Sequence, residues 1–524
     1  MPALLDVQNL HVCTAQQALV KGVSFKLKAG EILAVIGESG SGKSLTSMAC
    51  CGLLPPELST MGEVFFDGQE VLSLESGSWR GLRRKGIGVI FQDPMSALNP
   101  LMRISLQLAE AIDGKAKLNA SKKDRIMALL KEVGLHDLDR VFNSYPYELS
   151  GGQQQRIVIA MALATEPRLL IADEPTTALD ALTQNQVVAL LKSLCEQRNL
   201  AVMIVTHDLS VVQSMAHHIA VFKNGLCVEQ GATAVIMNAS KHEYTQMLVA
   251  AAKKVVTVKP MATIEDQPCM LRATNIRYRY APTAPLALKD VSVAVTRAEC
   301  LGIVGESGSG KSTLAKILVG AMIAESGQVV VCQRDAAQRW KSQSANLDFA
   351  RHCQYIFQDT AGSLNPSHRI KKILTEALLL RKHQETITSE MLAQLLAEVE
   401  LPSHILESKP ADLSGGQRQR IVIARALAMN PEVLVCDEPV SALDAHLQKQ
   451  TINMLINLQR KRGLTLIFIG HDLGLMQQFC DRIAVMDRGQ LVEEGPTKEV
   501  LAAPQSTALK GLIHHTFALQ KEAA

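Results

Sequence analysis

The octet GESGSGKS stands at residues 37 to 44 and again at 305 to 312. A pattern with only four fixed positions, G-x-x-x-x-G-K-[ST], arises by accident in unrelated chains. A duplication requires that other pieces recur at nearly the same spacing. They do: Lys43 and Lys311 are 268 residues apart, the FQD glutamines Gln92 and Gln358 266, and the LSGGQ serines Ser150 and Ser414 264. The DEP aspartates Asp173 and Asp437 and the HD histidines His207 and His471 are also 264 apart. The chain therefore reads as two copies of one unit.

At 524 residues it exceeds the roughly 250 to 300 at which one hydrophobic core stops growing. The repeat places a first domain at 1–252, a linker KKVVTVKPMATIEDQP at 253–268 and a second domain at 269–524. The linker breaks helical and strand periodicity and carries two prolines. Each half is long enough to contain subdomains. Charged residues make up 20% of the chain and its formal charge is +3, too near neutral to argue for nucleic acid as a partner. The longest apolar runs, such as LTLIFIG, fall far short of the roughly 20 residues of a membrane span. The start MPALLDVQNL lacks the pattern of a signal peptide, so a cytoplasmic protein is expected. None of the eleven cysteines lies in a C-x-x-C pair, and buried reduced thiols are expected rather than disulfides or a metal site.

ILAVIGESGSGKSLTSMACCGLL reads as a buried strand, a glycine-rich loop and a helix. Glycines Gly37, Gly40 and Gly42 let backbone N–H groups turn inward around phosphates, and the helix presents its positive end to them. Lys43 is placed to contact β- and γ-phosphates and Ser44 to ligate Mg²⁺. Gly305, Gly308, Gly310, Lys311 and Ser312 repeat these roles. RLLIADEP and EVLVCDEP open with apolar runs, as parallel strands covered on both faces do, and deliver acids at their carboxyl ends. Asp173 and Asp437 fit a Mg²⁺-coordinating acid, and Glu174 and Glu438 are placed to polarise an attacking water. His207 and His471 each follow an apolar run and read as γ-phosphate contacts. His217, His218, His514 and His515 have no counterparts in the other half and read as surface residues.

In YELSGGQQQRIVIAMALA and ADLSGGQRQRIVIARALA the serine reads as an N-cap, with glycines exposing N–H groups ahead of a helix. Phosphate loop, FQD, LSGGQ, apolar-DEP, the TALD and SALD loops (177–180 and 441–444) and the HD together resemble the ATP-binding subunits of ABC transporters. The resemblance covers nearly all of both halves. It implies an α/β fold: two tandem P-loop ATPase domains, each with a RecA-like core, an antiparallel β subdomain and a helical subdomain. It also implies composite sites, in which the LSGGQ of one half closes over ATP held by the other. One site then uses Gly40, Gly42, Lys43, Ser44, Gln92, Asp173, Glu174 and His207, closed by Ser414, Gly415, Gly416 and Gln417. The second uses Gly308, Gly310, Lys311, Ser312, Gln358, Asp437, Glu438 and His471, closed by Ser150, Gly151, Gly152 and Gln153. Gln92 and Gln358 join the Mg²⁺ ligands, directly or through water. No motif residue is degraded, so two competent sites are expected. Family members stack adenine on an aromatic upstream of the loop; Tyr280 fits, whereas Thr14 stands at the aligned place and the first site is expected to bind ATP more weakly.

FQDPMSALNP and FQDTAGSLNP are similar to the peptide and nickel importer branch, as is KHEYTQMLV (241–249); PQSTALKGL (504–512) keeps little of that tail. With only Cys269 near the end of the first half, no iron–sulfur cluster is expected. The resemblance implies two integral-membrane permease subunits, an extracytoplasmic substrate-binding protein acting through them, and a place on the cytoplasmic face of the membrane. Peptides are the expected cargo, with nickel or a metal chelate as the alternative. The stretches after Gln92 and Gln358, through 148 and 412, are rich in helix formers and are expected to touch the membrane subunits. A rival class, tandem ATPases acting on ribosomes or in DNA repair, calls for long charged linkers, coiled coils or zinc-binding cysteine pairs, and none is seen.

Overall fold

The computed structural model describes residues 2–38, 40–176, 181–253, 267–306, 308–360, 362–381, 386–440, 445–470 and 472–513. These divide into two compact units, one ending at the helix Glu243–Lys253 and the other beginning at Gln267. Most of the expected linker lies outside the described residues, as do TALD, SALD, His471, His514 and His515.

The first unit contains β1 (Leu5–Cys13), β2 (Ala18–Leu27), β3 (Ile32–Gly37), β4 (Ser59–Phe66), β5 (Gln69–Glu70), β6 (Ile87–Ile90), β7 (Leu169–Asp173), β8 (Ala201–Val205), β9 (His218–Lys223) and β10 (Leu226–Ala232). An antiparallel sheet has the order β2-β1-β4-β5, and the central sheet the order β10-β9-β3-β8-β7-β6, parallel except at the β9–β10 hairpin. The second unit repeats this with β11 (Cys269–Tyr278), β12 (Leu288–Thr296), β13 (Cys300–Val304), β14 (Ser326–Val331), β15 (Arg334–Asp335), β16 (Cys353–Ile356), β17 (Val433–Asp437), β18 (Thr465–Gly470), β19 (Arg482–Asp487) and β20 (Gln490–Pro496). Its sheets run β12-β11-β14-β15 and β16-β17-β18-β13-β19-β20.

The continuous apolar runs have a direct cause. Side chains alternate across a strand, and both faces of the central sheet are covered. Leu33, Val35, Ile171 and Met203 pack with the antiparallel sheet, whereas Ala34, Ile36, Leu170 and Ile204 pack with the helices of the opposite face. Leu301, Ile303, Val435 and Ile467 repeat the first layer, and Val304, Leu434, Leu466 and Phe468 the second.

A helical subdomain follows β6: helices Pro94–Ala97, Ile104–Asp113, Ala120–Glu132 and Leu138–Asn143 precede the long helix Gly151–Leu163. The SALNP turn is fastened by buried Gln107, whose Oε1 accepts from the Asn99 N–H at 2.9 Å and whose Nε2 donates to the Asn99 and Met102 carbonyls. The second unit places helices Ile370–Arg381 and Ser389–Glu398 in the same interval. His217 does more than sit at the surface. Its Nδ1 accepts from the N–H of Ile32 at 3.0 Å and so anchors the start of β3, a task Asp481 performs for Cys300 at 2.8 Å. The eleven cysteines are all free thiols.

Candidate functional site

β3 and β13 each end on the glycine-rich loop, at the carboxyl edge of a parallel sheet, where such sheets bind ligands. Gly42 (φ 97°) and Gly310 (φ 101°) cap the helices Lys43–Cys50 and Lys311–Leu318 in the left-handed region. A side chain there would be strained, and among the described residues no side chain caps either helix, which leaves the first-turn N–H groups open to an anion. Lys43 Nζ is folded back onto the carbonyls of Gly37 and Glu38, each at 2.7 Å; Lys311 does the same with Gly305 at 2.7 Å and Glu306 at 2.8 Å. Both lysines are buried cations held by the loop they serve.

Asp173 and Asp437 end β7 and β17. Ser44 hydrogen-bonds Asp173, and Ser312 Oγ donates to Asp437 Oδ1 at 3.2 Å. Burial raises both carboxyls above the ordinary aspartate range, partly offset by these hydroxyls and by Lys43 and Lys311. Among the described residues, Asp173 Oδ1 is buried with no hydrogen-bond partner, an arrangement that costs free energy unless another group meets it. A hard cation with oxygen ligands suits that vacancy in the bonding, and hydroxyl plus carboxylate is a Mg²⁺ donor set.

The next residue departs from ordinary backbone geometry in both units. Glu174 (φ 46°) and Glu438 (φ 45°) occupy the left-handed region, a conformation that costs a glutamate on the order of 1 to 3 kcal/mol. Their amides are pinned to Val205 and Ile469 carbonyls at 2.8 and 3.0 Å. Each carboxylate is thereby aimed at the FQD glutamine: Gln92 Nε2 donates to Glu174 Oε2 at 2.8 Å, and Gln358 Nε2 to Glu438 Oε2 at 2.9 Å. His207 Nδ1 lies 3.2 Å from Glu174 Oε1. Glutamine, glutamate and histidine thus converge in the first unit; His471 lies outside the described residues.

Ser150 and Ser414 cap the helices Gly151–Leu163 and Gly415–Ala428 with reciprocal capping boxes. Gln153 and Gln417 N–H groups donate to the serine hydroxyls at 3.4 and 3.3 Å, and the serine N–H groups to the glutamine side chains at 3.1 and 3.0 Å. Gly151 and Gly415 border open space. Gly152 and Gly416 lie close against Thr183 and Leu447, where an added Cβ would crowd.

Tyr280 is 64% exposed, with its hydroxyl 2.7 Å from Thr313 Oγ1 and its ring edge-on to Tyr278. Thr14 closes its own turn through Gln16 and Gln17. Two contacts escaped the sequence reading. Tyr355 Oη donates to Asp437 Oδ2 at 2.6 Å, and Tyr244 Oη accepts from the phosphate-loop N–H of Glu38 at 3.0 Å. The tyrosine of YIFQD was visible as a difference from VIFQD; the second contact spans 206 residues and left no local signal.

Phosphate loop, acid pair and capped glycine helix define, in each unit, a P-loop nucleoside-triphosphate hydrolase. The ABC transporter family model matches residues 20–177 and 288–441. The chain is 37% identical over 527 residues to the uncharacterized ABC transporter ATP-binding protein YejF of Escherichia coli K12, covering 97% of this chain and 99% of that one. It is 36% identical to the peptidoglycan transport ATP-binding protein YejF of Agrobacterium fabrum (99% and 97% covered), and 35% identical to the glutathione import ATP-binding protein GsiA of E. coli K12 (97% and 89%). The chain belongs to the ABC transporter ATP-binding proteins: it is an ATPase with two ATP-binding domains. Among the described residues, no helix is long and apolar enough to cross a membrane.

Proposed function

We propose that this chain powers an importer for short peptides or peptide-bearing small molecules, held by two integral-membrane permease subunits on the cytoplasmic face of the membrane and supplied by an extracytoplasmic binding protein. The observation that carries the reading is the presence of two undegraded site sets in one chain whose relatives, named for peptidoglycan and glutathione transport, match 99% and 97% of its length. Those names favour peptide cargo over nickel. Exposed Phe91, Met95 and Leu101 beside the first helical subdomain, and Phe357, Leu379 and Leu380 beside the second, supply apolar surface for permease contacts.

In the proposed mechanism, Lys43 and the loop N–H groups hold the β- and γ-phosphates of one ATP, with Ser414, Gly415, Gly416 and Gln417 closing over it. Lys311 and Ser150, Gly151, Gly152 and Gln153 serve the other. Ser44 with Asp173, and Ser312 with Asp437, would hold Mg²⁺, with Gln92 and Gln358 near it. Mg²⁺ when bound neutralises charge on the β- and γ-oxygens. Glu174 and Glu438 each take a proton from water as its oxygen bonds to the γ-phosphorus and the bond to the bridging oxygen breaks, giving ADP and phosphate. His207 and His471 steady the γ-phosphate. The halves close on ATP and part after hydrolysis because the two states differ in affinity for ATP and ADP; equal affinity would move nothing.

Purification of the tagged chain from native membranes in mild detergent, with mass spectrometry of what accompanies it, tests the reading. Two multi-span subunits whose binding protein takes peptides are the expected result. Ribosomal or DNA-processing partners without a permease would overturn it.

A further inference from the structure

The turn joining β14 to β15, the end of the helix Gln343–His352 and the residue before β17 meet at one place on the second unit. They bring Cys332, His352 and Glu432 together, each offering one ligand atom, with all three atoms within 4.8 Å of one another. The backbone fixes two of the three, since the Glu432 N–H donates to the His352 carbonyl at 3.0 Å. The side chains already touch: His352 Nδ1 lies 2.6 Å from Glu432 Oε1, and the Cys332 thiol hydrogen-bonds Glu432.

The first unit provides an internal control. Strand registers place Asp67, Gly86 and Arg168 at the same three stations. There the Arg168 N–H donates to the Gly86 carbonyl, as Glu432 does to His352, and Asp67 and Arg168 form an ion pair across the gap. All three residues of that clamp are replaced in the second unit, by a thiol, an imidazole and a carboxylate. Turn chemistry does not account for the thiol. Asp67-Gly68 suits a two-residue hairpin with both residues in the left-handed region, whereas Cys332 (φ 46°) and Gln333 (φ 64°) adopt that conformation at a cost.

We propose that Cys332, His352 and Glu432 form a binding site for a thiophilic divalent cation of the zinc class. Thiolate, imidazole and carboxylate at about 2.0–2.3 Å from a tetrahedral metal lie roughly 3–4 Å from one another; the three atoms already lie within 4.8 Å of one another, and the His352–Glu432 pair at 2.6 Å would part to admit the ion. Cys332 and His352 are half-buried and Glu432 is exposed, so an ion could reach the cluster from solvent. Asp348 stands where an outer carboxylate of such sites lies: its Oδ1 is 3.9 Å from His352 Nε2, short of hydrogen-bond distance, and its Oδ2 is fixed by Arg334 Nε at 2.6 Å. β16 and β17 start at this cluster; β16 carries Tyr355 and leads to Gln358, and β17 ends at Asp437, about 15 Å away at strand spacing. The metal would bolt the antiparallel sheet to the edge of the central one, the task the ion pair performs in the first unit.

The full chain, stripped of metal by chelation, is titrated with Co²⁺ as a spectroscopic probe and the Co²⁺ is then displaced with Zn²⁺. A single equivalent with a near-ultraviolet thiolate-to-cobalt band is expected, lost in Cys332→Ser, weakened about tenfold or more in His352→Ala, and retained in Lys311→Ala. If Cys332→Ser fails to fold, Cys332→Asp with Glu432→Arg installs the first unit's ion pair and should fold, hydrolyse ATP at the wild-type rate and show no band. Absence of the band from the wild-type chain, or its survival in the ion-pair chain, would overturn the site.

Discussion

Three residues before the FQD glutamine the first unit has Val89 and the second Tyr355, facing the same aspartate strand. The tyrosine hydroxyl holds one oxygen of Asp437 while Ser312 holds the other; beside valine, Asp173 keeps one oxygen buried and unmet. Other differences follow the same division. The exposed aromatic upstream of the loop, Tyr280, belongs to the second unit, whereas the tail tyrosine that meets the loop, Tyr244, belongs to the first and Ala508 stands in its place in the second. Two sites with the same proposed catalytic residues are therefore supported differently, and a motif comparison alone would score them as equal.

The largest effect asks whether each site is shared between the units. In a chain carrying Glu438→Gln, only the site around Lys43 and Glu174 can turn over. Ser414→Arg in that background should lower ATP hydrolysis by a further hundredfold or so, of the order seen when a general base or an oxyanion donor is removed. Ser150→Arg there should change it far less. The opposite ranking would mean that each capped helix serves its own unit. With both Glu174→Gln and Glu438→Gln, turnover should fall by about 10²–10⁴ while ATP stays bound; retained turnover would remove the glutamates from the water-activating role.

Support for the aspartates comes next in size. A hydrogen bond to a charged group is worth about 1.5–3 kcal/mol, roughly a tenfold to hundredfold change in an equilibrium. Tyr355→Phe should therefore raise the Mg²⁺ concentration needed for half-maximal turnover in a Glu174→Gln chain, where only the second site works. In a Glu438→Gln chain the same change should be silent. An equal shift in both backgrounds would show that the two sites are coupled rather than separately supported.

Adenine stacking should matter by about tenfold. Tyr280→Ala, measured by equilibrium binding of ATP to Glu174→Gln and Glu438→Gln chains, should weaken the second site alone, since base stacking contributes about 1–3 kcal/mol. Unchanged affinity would return Tyr280 to a packing role through its contacts with Thr313 and Tyr278.

Most of this architecture was legible because its signals are local. Gly-rich loop, apolar strand ending in DE and serine-capped helix each lie within a dozen residues, and each formed where the pattern put it. What escaped reading depends on tertiary register. The left-handed backbone at Glu174 and Glu438 is set by β8 and β18, some thirty residues downstream. The Cys332 cluster draws its three residues from positions 332, 352 and 432, so no spacing rule for metal ligands brings them together in the sequence.

Tyr244 gives the smallest expected effect and separates support of the loop from support of the fold. Its ring is buried under Lys223, whose Nζ lies 4.6 Å from the ring centroid, and only its hydroxyl reaches the N–H of Glu38. Tyr244→Phe keeps the ring and deletes that contact, leaving a partly buried amide without its acceptor, at a cost of about 1 kcal/mol. For a unit of this size that is roughly 2–4 °C in melting temperature. Because Glu38 also lends its carbonyl to Lys43, the change should weaken ATP binding at the first site by a fewfold as well. A lowered melting temperature with unchanged affinity would make the tail tyrosine a fastening of the fold alone. Loss of affinity without loss of stability would mean that the tail tyrosine, replaced by Ala508 in the second unit, sets the phosphate loop of the first.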